Sequence, residues 1–125
     1  MSFLSKLFSK PVDERAIQAA QSWLVLCDAY DAEKSWEEAS SIFKGAVDEQ
    51  KWEKILHSSR KPLGELVTRK QISAETKKTM PGVPDGLYAI IRYSSQFTNK
   101  KETIETVTVF MDTDTVWRSC GYFLK

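Results

Sequence analysis

The feature that most constrains this chain is a change of hydrophobic period at Pro62. Before it, apolar residues recur with the 3.6-residue period of a helix; after it they alternate with period two, as in a strand. Ala16, Ile17, Ala20, Trp23, Leu24 and Cys27 form one helical face, opposite Glu14, Arg15, Gln18, Gln21 and Ser22. Pro11 can open that helix at its first turn. The segment Asp28 to Glu33 interrupts the pattern. A second helix fits Trp36, Ala39 and Phe43, with Ser35 as cap, Glu37 and Glu38 in its first turn and Gly45 at its end. A third begins at Asp48, where Val47 and Trp52 stand at the two positions of a hydrophobic staple, and Pro62 stops it.

Beyond Pro62, strands are predicted over Leu63 to Ile72, Leu87 to Phe97, Glu102 to Asp112 and Thr115 to Leu124. Ser73 to Gly86, with Pro81-Gly82 and Pro84-Asp85-Gly86, reads as a long loop. The fold class is therefore α+β: three N-terminal helices on one face of a four-stranded antiparallel sheet. The 125 residues suit one domain, taken as 12–125 behind a short leader, 1–11. Such a chain buries roughly two thirds of its unfolded surface, enough for a core without staples.

The formal net charge is +1, which argues against phosphate-driven nucleic-acid binding. The total conceals an asymmetry. Residues ahead of Arg60 hold seven basic and ten acidic side chains, whereas Arg60 to Lys78 carries six basic and two acidic. Two cysteines, Cys27 and Cys120, fit free thiols in a reducing, cytoplasmic compartment, with export or peripheral membrane contact left open. The leader has Phe3, Leu4, Leu7 and Phe8 with Lys6 and Lys10 opposite. It is too short and too interrupted for a signal peptide, and its membrane contact would be weak.

Strand register assigns the faces. A four-residue turn from Thr98 to Lys101 sets Phe97 against Glu102 and Arg92 against Val107; Asp112 against Thr115 sets Phe110 against Trp117. One face then carries Leu87, Ala89, Ile91, Tyr93, Phe97, Ile104, Thr106, Thr108, Phe110, Trp117, Ser119, Gly121 and Phe123, with no charge. The other carries Tyr88, Ile90, Arg92, Gln96, Glu105, Val107, Val109, Met111, Arg118, Cys120 and Tyr122. Burying an unpaired charge is costly, so the charge-free face is expected under the helices. The second face is apolar enough to meet something, and Ile90, Arg92, Glu105, Val107, Val109, Arg118 and Tyr122 are the candidate homodimer contacts. Glu105 is expected to pair there with Arg92 or Arg118. A one-residue slip would exchange the faces.

These residues have a familiar order. Trp23-Leu24, Asp28, Ser35-Trp36-Glu37, Phe43, Trp52, Arg60, Pro62-Leu63-Gly64, Arg69, Pro81-Gly82, Pro84-Asp85-Gly86, Tyr88, Phe97, Asn99-Lys100, Glu105-Thr106-Val107, Trp117-Arg118 and Gly121-Tyr122 resemble the bacterial domain-of-unknown-function family numbered 4019, from about Arg15 to Leu124. No activity comes with that resemblance. It implies a cystatin-like cone similar to nuclear transport factor 2, in which helices and a curved sheet enclose a pocket and the sheet often mediates dimers. Members of that family often look exported, with a cleavable leader, whereas the short leader here is not expected to be one, and Asp112-Thr113-Asp114-Thr115 stands where an Asp-Gly turn is usual.

Catalytic chemistry finds little support. His57 is the single imidazole and has no evident partner for base catalysis. The cysteines lack metal or nucleophile spacing, Asp112 and Asp114 read as a solvated turn, and no metal or other cofactor is expected. Arg60 and Arg69 flank Pro62-Leu63-Gly64 as candidates for an anion or partner, although Arg60 also suits the third helix's terminal carbonyls. Trp36, Trp52, Tyr93, Thr106, Thr108, Trp117 and Ser119 are the candidate lining of a small apolar, hydroxyl-bearing pocket, against the alternative that they fill the core. The leading functional reading is a non-enzymatic module for a small apolar or amphipathic ligand. A homodimeric protein-interaction domain is the alternative, and an enzyme ranks third.

Overall fold

A computed structural model describes residues 11–125. The amphipathic leader therefore lies outside the described residues, apart from Pro11. The chain runs α1 (Glu14–Asp28), α2 (Ala32–Glu37), α3 (Ser41–Ala46), α4 (Glu49–Arg60), a short 3-10 turn (Lys61–Leu63), then β1 (Leu66–Lys77), β2 (Tyr88–Phe97), β3 (Lys100–Met111) and β4 (Trp117–Leu124). The four strands form an open antiparallel meander in the order β1-β2-β3-β4. Among the described residues it is an α+β fold with four helices rather than three.

Helix starts follow side-chain caps. The Asp13 carboxylate accepts from the Arg15 amide at 2.9 Å, so α1 begins after Pro11, not at it. Asp48 accepts from the Lys51 amide at 2.7 Å and opens α4 where the sequence places it. The predicted second helix is split in two, capped by Asp31 and by Ser40. The reason is a competing hydrogen bond. The Ser40 amide donates to the Ser119 carbonyl of β4 at 2.8 Å, so it cannot continue a helical ladder, and its hydroxyl caps α3 by accepting from the Phe43 amide. That bond also occupies part of the β4 edge, which would otherwise be open to pairing. Helix α1 lies across β2, β3 and β4, α3 abuts β4, and α4 packs chiefly on α2.

The first strand extends to Lys77, beyond the predicted end at Ile72, because the Ser73–Lys77 stretch, exposed except for a half-buried Ala74, still finds pairing partners from Arg92 to Tyr88. Pairing, not hydrophobic alternation, makes that part of the strand. The loop that follows folds back on the sheet's outer face. Tyr88 is buried there, its hydroxyl donating to the Pro84 carbonyl and its ring 5.0 Å from that of Phe110.

The decisive difference is register. Phe97 pairs with Lys100 around the two-residue turn Thr98-Asn99, and an irregularity before Phe97 sets Ser95 against Thr103, Tyr93 against Glu105 and Ile91 against Val107. This is one residue away from the four-residue-turn prediction, so the whole of β3 is turned over. A second irregularity in the β3–β4 ladder pairs Val109 with Ser119 but Val107 with Tyr122, which turns over the end of β4 as well. The helices therefore cover Ala89, Ile91 and Tyr93 together with Glu105, Val107, Val109, Trp117, Ser119 and Tyr122. Thr106, Thr108, Gly121 and Phe123 face outward. The predicted charge-free inner face is corrected accordingly. Glu105, Val107 and Val109 are completely buried within the chain and are not available as dimer contacts.

Candidate functional site

Turning β3 over carries a carboxylate into the core, and the chain supplies its partners. Glu105 accepts from Arg69 Nε at 2.7 Å and Nη2 at 3.2 Å, from the Ser95 hydroxyl at 2.6 Å, and from the Tyr122 hydroxyl. Arg69, from edge strand β1, also reaches Asp28 at the end of α1, through Nη1 at 2.8 Å and Nη2 at 2.9 Å. Arg60, the last residue of α4, donates to Asp28 at 2.8 Å and to the Tyr122 hydroxyl at 3.4 Å, with its guanidinium 4.8 Å from the Phe97 ring centroid. Two carboxylates and two guanidiniums thus cancel in charge while joining α1, α4 and all four strands. The predicted pairing of Glu105 with Arg92 or Arg118 does not occur. Arg92 instead approaches Glu75, and Arg118 holds Asp114 and Asp112.

The electrostatics follow from this closure. Burial works against the charge on Asp28, but hydrogen bonds and attraction from Arg69 and Arg60 prevail and hold its carboxyl below the usual range. Burial, then the adjacent Glu105 charge, pushes the Tyr122 phenol far upward, and burial raises Tyr93 to about 12. Both phenols stay protonated at neutral pH. Arg60 Nε and the Tyr93 hydroxyl are buried without a hydrogen-bond partner among the described residues. Arg60 and Arg69, predicted as candidates for an anion, are committed to carboxylates of this chain. Their placement also removes two positive charges from the apparent basic segment.

The space between helices and sheet is occupied by rings. Trp23 stacks on Trp52 at 5.5 Å, Phe43 meets both edgewise, and Tyr122 packs edge-on against Trp23 at 5.7 Å. The Trp23 indole donates to the Ser35 carbonyl and the Trp52 indole to the Ser35 hydroxyl, each at 2.8 Å. Trp36 lies apart, bonded to the Val47 carbonyl with the Lys44 ammonium over its ring. His57 lies beside the Tyr30 ring at 5.2 Å.

Of the seven predicted lining residues, Trp117 and Ser119 come together at an open cleft between α1 and β4. This cleft, about 390 Å³, has Ala19, Trp23, Val116 and Trp117 as its apolar surface and Ser22, Glu37, Glu38, Arg118 and Ser119 as its polar one. It continues as a recess of about 350 Å³ along Arg15, Gln18 and Thr115 towards the start of α1, where the Trp117 indole donates to Asp13 at 3.4 Å. Tyr93 is buried beside the charge cluster, Trp52 belongs to the aromatic stack, and Thr106 and Thr108 are on the outer face. Asp112, predicted to be solvated, accepts from the Ser41 amide and hydroxyl at the start of α3 and also receives Arg118.

Sequence reasoning missed the role of Asp28. A carboxylate on the last residue of a helix opposes the helix dipole, and that position alone signals a cationic partner. Among the described residues no group of three or more His, Cys, Asp or Glu is placed to hold a metal, and no helix is long and apolar enough to cross a membrane.

The helical layer over an antiparallel meander, tied by a buried charge cluster, defines the class as an α+β domain. The chain belongs to the DUF4019 family, whose description is a protein of unknown function; the family model matches residues 19–122. That span contains every member of the charge cluster. No curated protein and no solved structure matches the chain.

Proposed function

We propose that this protein is a non-enzymatic binding module that takes a small amphipathic molecule in the α1–β4 cleft. The observation that carries this reading is an apolar surface left open beside unpaired acids. Val116 remains 46% exposed in the cleft, and the exposed carboxylates of Glu37 and Glu38 make no ion pair among the described residues. Arg118 is already tied to Asp114, so the free charge at the rim is negative. A ligand with an apolar body and a cationic end matches that combination. The cone-like fold similar to nuclear transport factor 2 belongs to the same reading, with the ligand at the side of the cone rather than inside it. The buried cluster acts as scaffold, since its ionised groups are bonded to one another.

Titration with octylammonium, followed by the Val116 methyl and Trp117 indole resonances, tests the assignment. Saturable shifts confined to the cleft and abolished by Val116→Arg support it. Equal binding of octanoate, or shifts spread over the surface, overturns it.

A second reading, a homodimeric interaction domain, is favoured by one observation on the outer face: Phe123 is 61% exposed and neighbours exposed Ile104. Of the predicted dimer residues only Ile90 and Arg92 remain on that side, Ile90 itself being buried, while the Arg118 side chain turns to Asp112 and Asp114 at the cleft. Light scattering of the protein and of Phe123→Glu tests it; a monomer in both cases removes it.

A further inference from the structure

We propose that residues 1–10 of this chain are a ligand for its own α1–β4 cleft, so that the binding site carries a competitor in cis. The inference rests on the reading of that cleft as a binding site and adds an occupant and a form of regulation to it. Three observations converge. The described residues start where the cleft begins, since Pro11 precedes the Asp13 cap and Asp13 touches Trp117 in the cleft floor. Its reach is sufficient. Ten residues span at most about 33–36 Å, whereas α1 rises about 12 Å from Glu14 to Ser22, beside the far part of the cleft.

Its chemistry also fits. Phe3, Leu4, Leu7 and Phe8 supply apolar groups for the exposed Val116, and Lys6 and Lys10, with no acid in the segment, oppose the exposed Glu37 and Glu38. That is the combination of apolar body and positive charge for which the cleft is suited. A tethered segment acts at high effective concentration, so even weak contacts hold it in place and an external ligand must displace it.

The full chain tests this by nuclear magnetic resonance. In Leu7→Ser/Phe8→Ser, the Ser22 and Val116 amides and the Trp117 indole are expected to shift, and octylammonium is expected to bind several-fold tighter than to the wild type. Lys6→Glu/Lys10→Glu is expected to move the same resonances, and adding Glu37→Lys/Glu38→Lys to restore them. Cleft resonances that are the same in wild type and both leader variants, with octylammonium affinity unchanged, overturn the proposal and leave the ligand reading standing. A chain that binds phosphatidylglycerol vesicles through Leu7 and Phe8 while its cleft resonances ignore those residues also overturns it, and assigns the segment to a membrane surface. If octylammonium fails on the wild type and on Leu7→Ser/Phe8→Ser alike, the ligand reading falls; cleft shifts in the leader variants would still support the docking.

Discussion

Arg69 closes on Glu105 through two hydrogen bonds, of 2.7 and 3.2 Å, along one face of a sheet in which the two residues belong to strands that are not neighbours. The guanidinium reaches over β2, and its other edge holds Asp28. Removing one partner leaves the other charge buried and uncompensated, which typically costs about 3–5 kcal/mol. Arg69→Met is therefore expected to destabilise the fold by about that amount in urea denaturation. Replacing both, as Arg69→Met/Glu105→Leu, is expected to recover much of the loss. Two losses that simply add would contradict the coupling.

Asp28 makes stability depend on acid. Its folded pKa lies below the ordinary 3.8, so its stabilising contribution is complete above the unfolded value and is lost as pH falls through the folded one. Asp28→Asn is expected to lower stability at neutral pH, where it takes from Arg60 its carboxylate partner and from Arg69 one of two, and to flatten the decline below about pH 4. Urea midpoints across a pH series measure both. Parallel acid limbs for variant and wild type would show that Asp28 does not contribute.

The limits of the sequence reading follow from the same residues. Helices α1 and α4 were legible because local signals agree there: an apolar stripe in each and, in α4, the Asp48 cap and the Val47–Trp52 staple. The strands β2 and β3 were legible from alternation. Their register was not, since a four-residue turn and a two-residue turn with an adjacent irregularity differ by one residue yet present opposite faces. The rule that charge stays outside then reinforced the error. Glu105 is inside because Arg69 comes with it, and that partner lies 36 residues away in the chain. No local pattern encodes such a pair. The cleft was half visible, through Trp117 and Ser119, because its other wall depends on where α1 and the end of α2 settle against β4.

Both thiols should be inert in the folded protein. Cys27 is fully buried and burial drives its pKa far up, while burial on the sheet raises Cys120 to about 12. The thiolate is the reacting species, so an aromatic disulfide reagent is expected to modify neither at neutral pH until urea unfolds the chain. Rapid native-state labelling of either would mean that its surroundings open readily.

Gly64 docks the end of the helical layer on the β2–β3 turn, and the contact leaves no room for a side chain. Its φ is +81°, and a Cβ there would lie 1.9 Å from the Thr98 hydroxyl, which itself accepts from the Glu65 amide. The Asn99 amide donates to the Leu63 carbonyl and the Thr98 amide to the Glu65 carbonyl, so the turn cannot retreat without losing both bonds. Gly64→Ala is expected to cost at least about 1–3 kcal/mol in strain. Removing the obstruction with Thr98→Gly should recover only part of it, because the backbone conformation is unchanged. Gly45 provides the contrast: it sits in α3 with open space around its Cβ position, and Gly45→Ala is expected to stabilise by up to about 1 kcal/mol. Thermal unfolding of the three variants measures the difference, and equal effects at the two glycines would show that the Gly64–Thr98 contact does not constrain the turn.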